Sequence, residues 1–157
     1  MGTAHVILTA IAIMGTAVIY GSDTFAATVL RPALTHLDDR ALGAVSGFIH
    51  LYGDKRLVIP GIGGTVAAGA ATLVAIMQGD RETIVLDSVA LTALLAWLGI
   101  YLRINAPINR AMIEAALRGE TLDAIRMLQR KWESVSIPRA TLQAVAVGCL
   151  FAAAVAS

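Results

Sequence analysis

The chain has 157 residues, of which 57% are hydrophobic and only 15% charged, with a mean hydropathy of +0.75. A soluble domain carries about a quarter charged residues, so this composition is that of an integral membrane protein. A net charge of +1 without a clustered basic face argues against nucleic acid as a partner. The one cysteine, Cys149, excludes an internal disulfide and leaves the redox compartment open.

The first apolar stretch, Val6 to Leu30, follows a start without positive charge and is about twice as long as a signal-peptide core, so it reads as a retained span. Leu57 to Met77, Thr83 to Ile104 and Ala140 to Ala156 also approach the ~20 apolar residues that a helix needs to cross hydrocarbon. Lipid offers backbone groups no partners, so these segments must be helices. The expectation is an all-α fold: one transmembrane domain over residues 1–157, a four-helix bundle with amphipathic cytoplasmic helices in its two long connections. Arg31, Arg40, Lys55 and Arg56 lie in the first connection, and Arg110, Arg118, Arg126, Arg130, Lys131 and Arg139 in the second. The positive-inside rule then puts both termini outside and both connections in the cytoplasm.

Within the first span, Tyr20, Asp23 and Thr24 are spaced three and four apart and share a face near the cytoplasmic border. Asp23 there either pairs with Arg31 or Arg103, or serves a site. The first connection predicts a helix over Asp38 to Ile49, then a polar cluster, His50-Leu-Tyr-Gly-Asp54-Lys-Arg56, before the second span. That span is rich in small residues from Gly61 to Ala71, and the fourth repeats the pattern around Gly148. Such faces pack helices closely and also allow an oligomer. Asp87, in the first turns of the third span, suits the positive end of the helix dipole or a pairing with Arg81.

Trp97, Tyr101 and Asn105 recur every four residues along the third span, and Pro107 is expected to end it. Asn105 can cap the next helix or, with Asn109, hold a ligand oxygen without a charge. Apolar spacings from Met112 to Leu128 predict two amphipathic helices broken at Arg118-Gly119. These polar helix ends all converge on one side, which points to a site at the cytoplasmic mouth. His50 is the candidate general base there, because imidazole titrates near neutrality. His5, His36 and His50 show no metal-ligand spacing, and neither a phosphate loop nor a nucleophile elbow is present. No cofactor is identifiable from the sequence.

Asn105-Ala-Pro-Ile-Asn109, followed after a helix by Arg130-Lys-Trp132, resembles the signature of the anthrone oxygenase-like family of small four-span membrane proteins. The likeness extends to the first span leading into Val29-Leu-Arg-Pro-Ala-Leu34. Pro138 and the lack of a histidine between Glu133 and Arg139 depart from it. The resemblance implies a monooxygenase acting on a hydrophobic aromatic small molecule with neither an obvious metal nor a flavin. By that resemblance Asn105, Asn109, Arg130 and Trp132 line the site; with His50 as base they are the expected catalytic group, and Tyr20, Asp23, Asp54 and Tyr101, which span ends and residue spacing bring to the same mouth, are the expected substrate-binding residues. The expected partners are membrane lipid and that small molecule. A non-catalytic membrane subunit or small-molecule-binding protein is the alternative. A transporter is disfavoured because no span carries a mid-membrane break.

Overall fold

The computed structural model describes residues 2–156, and among them every regular element is helical. The first helix, α1 (Thr3–Phe25), passes through a π-helical turn at Ala26–Leu30 into α2 (Arg31–Leu34). A short turn leads to α3 (Asp39–Arg56), whose start is fixed by the Asp38 carboxylate accepting from the Ala41 amide at 2.7 Å. Only Leu57 separates α3 from α4 (Val58–Gln78), and Gly79 closes that helix in the left-handed conformation at φ 76°. Then come α5 (Arg81–Ile100), a second π turn at Tyr101–Asn105 and α6 (Ala106–Arg118). Gly119, at φ 69°, ends α6, with the Glu120 amide bonded back to the Ala115 carbonyl at 3.0 Å, a Schellman closure. The chain finishes with α7 (Ile125–Glu133) and α8 (Ser136–Val155).

Four helical runs are long and apolar enough to cross a membrane: Thr3–Leu34, Val58–Gln78, Arg81–Arg118 and Ile125–Val155. They form a helix bundle in which α1 packs on α4 and α8, and α5 packs on the same two. Its centre is alanine-rich, built on Ala12, Ala67, Ala68, Ala90, Ala93 and Ala146 with Leu94 and Leu150. Small side chains let the backbones approach: a Cβ on Gly15 would meet the Pro60 carbonyl oxygen at 2.5 Å. The small-residue seam of α4, from Gly61 to Ala75, is thus consumed within the chain. A second apolar cluster, Leu34, Leu42, Ile108, Met112 and Ile125, joins α2, α3, α6 and α7 at the basic end.

Pro107 does not end the third span. The two π turns each directly precede an X-Pro pair, Arg31-Pro32 and Ala106-Pro107, so that Arg31 and Ala106 bond back five residues to Ala26 and Tyr101. A proline ring clashes with the carbonyl four residues before it, and one widened turn relieves the clash without stopping the helix. Hence the run from Arg81 to Arg118 spans 38 residues, about 57 Å of helix against a hydrocarbon core of about 30 Å. Instead of lying across the bundle end, α2 and α6 prolong α1 and α5 beyond it. The other two prolines, Pro60 and Pro138, occupy the first turn of α4 and α8, where the missing amide costs no intrahelical hydrogen bond.

Candidate functional site

Where the helices emerge at the basic end they enclose a cavity of about 350 Å³, lined mostly by apolar side chains. Its polar groups come from every long element except α4. Asp23 stands on α1, His50 and Asp54 on α3, Trp97 and Tyr101 on the third run, Asn109 on α6, Gln129 and Trp132 on α7, and Arg139 on α8.

Asp54 is the hub of one network. Its Oδ1 accepts from the Tyr101 hydroxyl at 2.8 Å, and the Asn109 amide donates to both carboxylate oxygens, at 3.0 and 3.2 Å. Asn109 then accepts from the Trp132 indole N–H at 2.8 Å, so one carboxamide ties α3 to α7. A second network is centred on Asp23, which accepts from Arg139 Nη2 at 2.7 Å and from Gln143 Nε2 at 2.9 Å. The Arg139 guanidinium lies 5.5 Å from the Trp132 ring centroid and 5.8 Å from that of Tyr101. Aromatic faces thereby stabilise a cation that burial would otherwise penalise.

Some polar atoms stay unmatched. Among the described residues, Arg139 Nε and Nη1 and His50 Nε2 are buried with no hydrogen-bond partner. Each such group costs on the order of 1–3 kcal/mol when truly dry, and these three belong to residues of the cavity wall. Burial is the main cause that lowers the His50 pKa to about 4; the Arg139 charge adds to it, and the Asp54 carboxylate opposes it. The imidazole, whose ring lies 5.2 Å from that of Trp132, is therefore a neutral base at physiological pH.

Of the residues singled out in the sequence, His50, Asn109, Trp132, Asp23, Asp54 and Tyr101 line the cavity. Three others differ. Arg130 is exposed and absent from the cavity wall; Arg139, buried and paired with Asp23, is the cation there. Tyr20 is 37% exposed and absent from the cavity wall: residues three apart share a face only loosely, since at about 3.6 residues per turn they stand about 60° apart around the helix. Asn105 is fully buried but lies behind the wall, its amide 3.5 Å from the Trp132 carbonyl. Nor does it cap α6, since its backbone is helical at φ −76°, ψ −46° and its side chain makes no cap bond.

Partners also differ from expectation. Asp23 pairs with Arg139 rather than with Arg31 or Arg103; Arg31 bonds Glu133 at 3.1 Å instead. His50, placed by the sequence after a short helix, is inside α3 and buried. Arg139, Gln143, Trp97 and Gln129 were not assigned to the site. The i, i+4 spacing of Arg139 and Gln143 ahead of Ala146 and Leu150 was the available signal, since the four form one buried stripe of α8. Asp87 does not face Arg81 either, but meets His5 Nε2 at 2.7 Å, with both side chains fully buried. No group of three or more potential metal ligands occurs among the described residues. Comparison with protein families, curated proteins and solved structures finds no match to this chain.

Proposed function

We propose that the chain is a membrane oxygenase of the anthrone oxygenase-like type, acting on a hydrophobic aromatic molecule in the cavity at the basic end. The observation that carries this reading is an apolar cavity of about 350 Å³ holding a buried neutral imidazole and a buried guanidinium, each with unmatched nitrogen atoms. An activated methylene next to an aromatic carbonyl loses a proton to His50 Nε2, and donors from Arg139 stabilise the enolate oxygen that results. The electron-rich enolate gives an electron to dioxygen, the two radicals combine as a hydroperoxide, and loss of water leaves a carbonyl. The balance is CH₂ plus O₂ to C=O plus H₂O, and no external reductant is consumed. Trp132 and Tyr101 supply aromatic walls, while Asn109 and Asp54 hold those walls in register.

The distribution of Lys and Arg supports an orientation with both termini outside and the cavity on the cytoplasmic side. The test is dioxygen uptake by purified protein given a tricyclic anthrone. Asn109→Ala and Trp132→Ala should leave expression intact and abolish uptake, and undiminished turnover in both variants would overturn the proposal. A second reading, a non-catalytic small-molecule-binding subunit, draws on the way Asp54, Tyr101, Asn109 and Trp132 spend their hydrogen bonds on one another. It expects the same substitutions to lower thermal stability in detergent, with no substrate oxidation by the parent protein.

A further inference from the structure

The hydrogen-bonding capacity of the cavity is lopsided. Both of its carboxylates are engaged: Asp54 by Tyr101 and Asn109, and Asp23 by Arg139 and Gln143. What remains over, besides His50 Nε2, is donor capacity on a fixed cation, since Arg139 is 5% exposed and has only Nη2 engaged by a partner. Guanidinium N–H groups accept nothing, so only an acceptor oxygen can satisfy them, and an anionic oxygen does so most strongly.

The rest of the wall describes the body attached to that oxygen. Phe25, Ile62 and Leu102 line the cavity, yet each is more than half exposed on the outer surface of the helices. That surface belongs to runs long and apolar enough to cross a membrane, so single side chains part the apolar end of the cavity from the flank of the bundle, while its cation is buried.

We propose that Arg139 is the ligand-binding cation of this cavity, and that the occupant is an amphiphile dissolved in the membrane whose head is a single anionic oxygen group on an apolar body. Arg139 Nε and Nη1 grip the head, and Asp23 with Gln143 hold the guanidinium in place from behind. The inference rests on the reading of the cavity as a ligand site but not on oxygenation. A carboxylate from lipid and an acidic phenol or enol share the chemistry.

The chain's two tryptophans, Trp97 and Trp132, both line the cavity, so intrinsic fluorescence reports occupancy. The experiment uses the full chain in phosphatidylcholine nanodiscs and titrates quenching by a doxyl-labelled fatty acid against its methyl ester. A dibrominated phenol, above its pKa, is set against its methyl ether in the same way. At least one anion should bind about tenfold more tightly than its neutral counterpart, and whichever pair discriminates identifies the source. Arg139→Gln should abolish the preference. Because that change strands Asp23, the double variant Asp23→Asn/Arg139→Gln, which removes both charges, is measured alongside and should show the same loss. Equal binding of acid and ester and of phenol and ether, or a preference retained in the double variant, overturns the inference while leaving a ligand site in place. If none of the four probes binds the parent protein, the reading of the cavity as a ligand site falls as well.

Discussion

Two buried acid–base groups lie near opposite ends of the bundle, and they are built differently. At one end His5 and Asp87 meet at 2.7 Å with both side chains fully buried, and Thr9 lies 3.5 Å from the other ring nitrogen. At the other, Asp23 and Arg139 meet at the same 2.7 Å but border a cavity, together with His50, Asp54 and two indoles. Alanine-rich packing lies between them. Burial and a close acid–base pairing are thus common to both ends and do not by themselves mark a site. Space, bordered by donors that the protein does not use, is what distinguishes the basic end.

The contrast is sharpest when one partner is removed. His5→Ala leaves the fully enclosed Asp87 side chain without its imidazole partner, and removing one member of a buried pair costs about 3–5 kcal/mol. Thermal unfolding in detergent should therefore drop steeply while ligand quenching in the folded protein stays unchanged. Asp23→Asn strands Arg139 beside a cavity that water can enter, so the loss should be smaller, about 1–3 kcal/mol. If the two substitutions cost the same, the sealed and open ends are not different in kind.

Next in size is a pH effect confined to the open end. His50 takes up a proton near pH 6.5 when unfolded but only near 4 when folded, so the unfolded chain binds more protons between these values. Stability is complete above pH 6.5 and falls as the pH drops towards 4, by on the order of 3 kcal/mol for that one group. Denaturation measured across that window should show the slope, and His50→Gln should flatten it.

Close packing should respond in the middle of the range. A methyl on Gly15 would sit 2.5 Å from the Pro60 carbonyl oxygen, a backbone atom that cannot rotate away. Gly15→Ala should therefore cost about 1–3 kcal/mol by prising α1 from α4. At Gly61 the nearest atom to an added methyl is Trp97 Cη2 at 3.3 Å, on a side chain that can give way towards the cavity. Gly61→Ala should cost less and should alter quenching rather than stability.

How far the sequence foretold this depends on the range of the physics concerned. Four spans are legible because hydropathy is a local sum, and the break at Gly119 because a left-handed residue is a local signal. The continuity of the helices through Pro32 and Pro107 is not, because a proline reads as a stop unless the preceding turn is known to widen. Six of the residues on the cavity wall, all with polar groups, carry a sequence signal in the gathering of such residues at helix ends. Its cation is legible only by place: Arg139 precedes the fourth span at the same mouth, but nothing local singles it out from Arg130, and its partner Asp23 is 116 residues away. His5 and Asp87, 82 residues apart, likewise carry no local sign of their pairing.

The smallest expected effect separates the two carboxamides of the Asn-x-Pro-x-Asn segment, which look equivalent in sequence. Asn109 donates to Asp54, accepts from Trp132 and touches the cavity, so Asn109→Ala breaks the link between α3 and α7 and leaves both partners short of a bond. Asn105 makes one bond, to the Trp132 carbonyl at 3.5 Å, and its own Oδ1 finds no partner among the described residues. A bond of that length contributes little, and removing a group that is already half-satisfied relieves a desolvation cost while losing a weak contact. Asn105→Ala should accordingly change unfolding by less than about 1 kcal/mol and leave ligand quenching intact, whereas Asn109→Ala should change both. Should Asn105→Ala instead abolish quenching, the wall of the site extends behind Trp132, and the second carboxamide belongs to it.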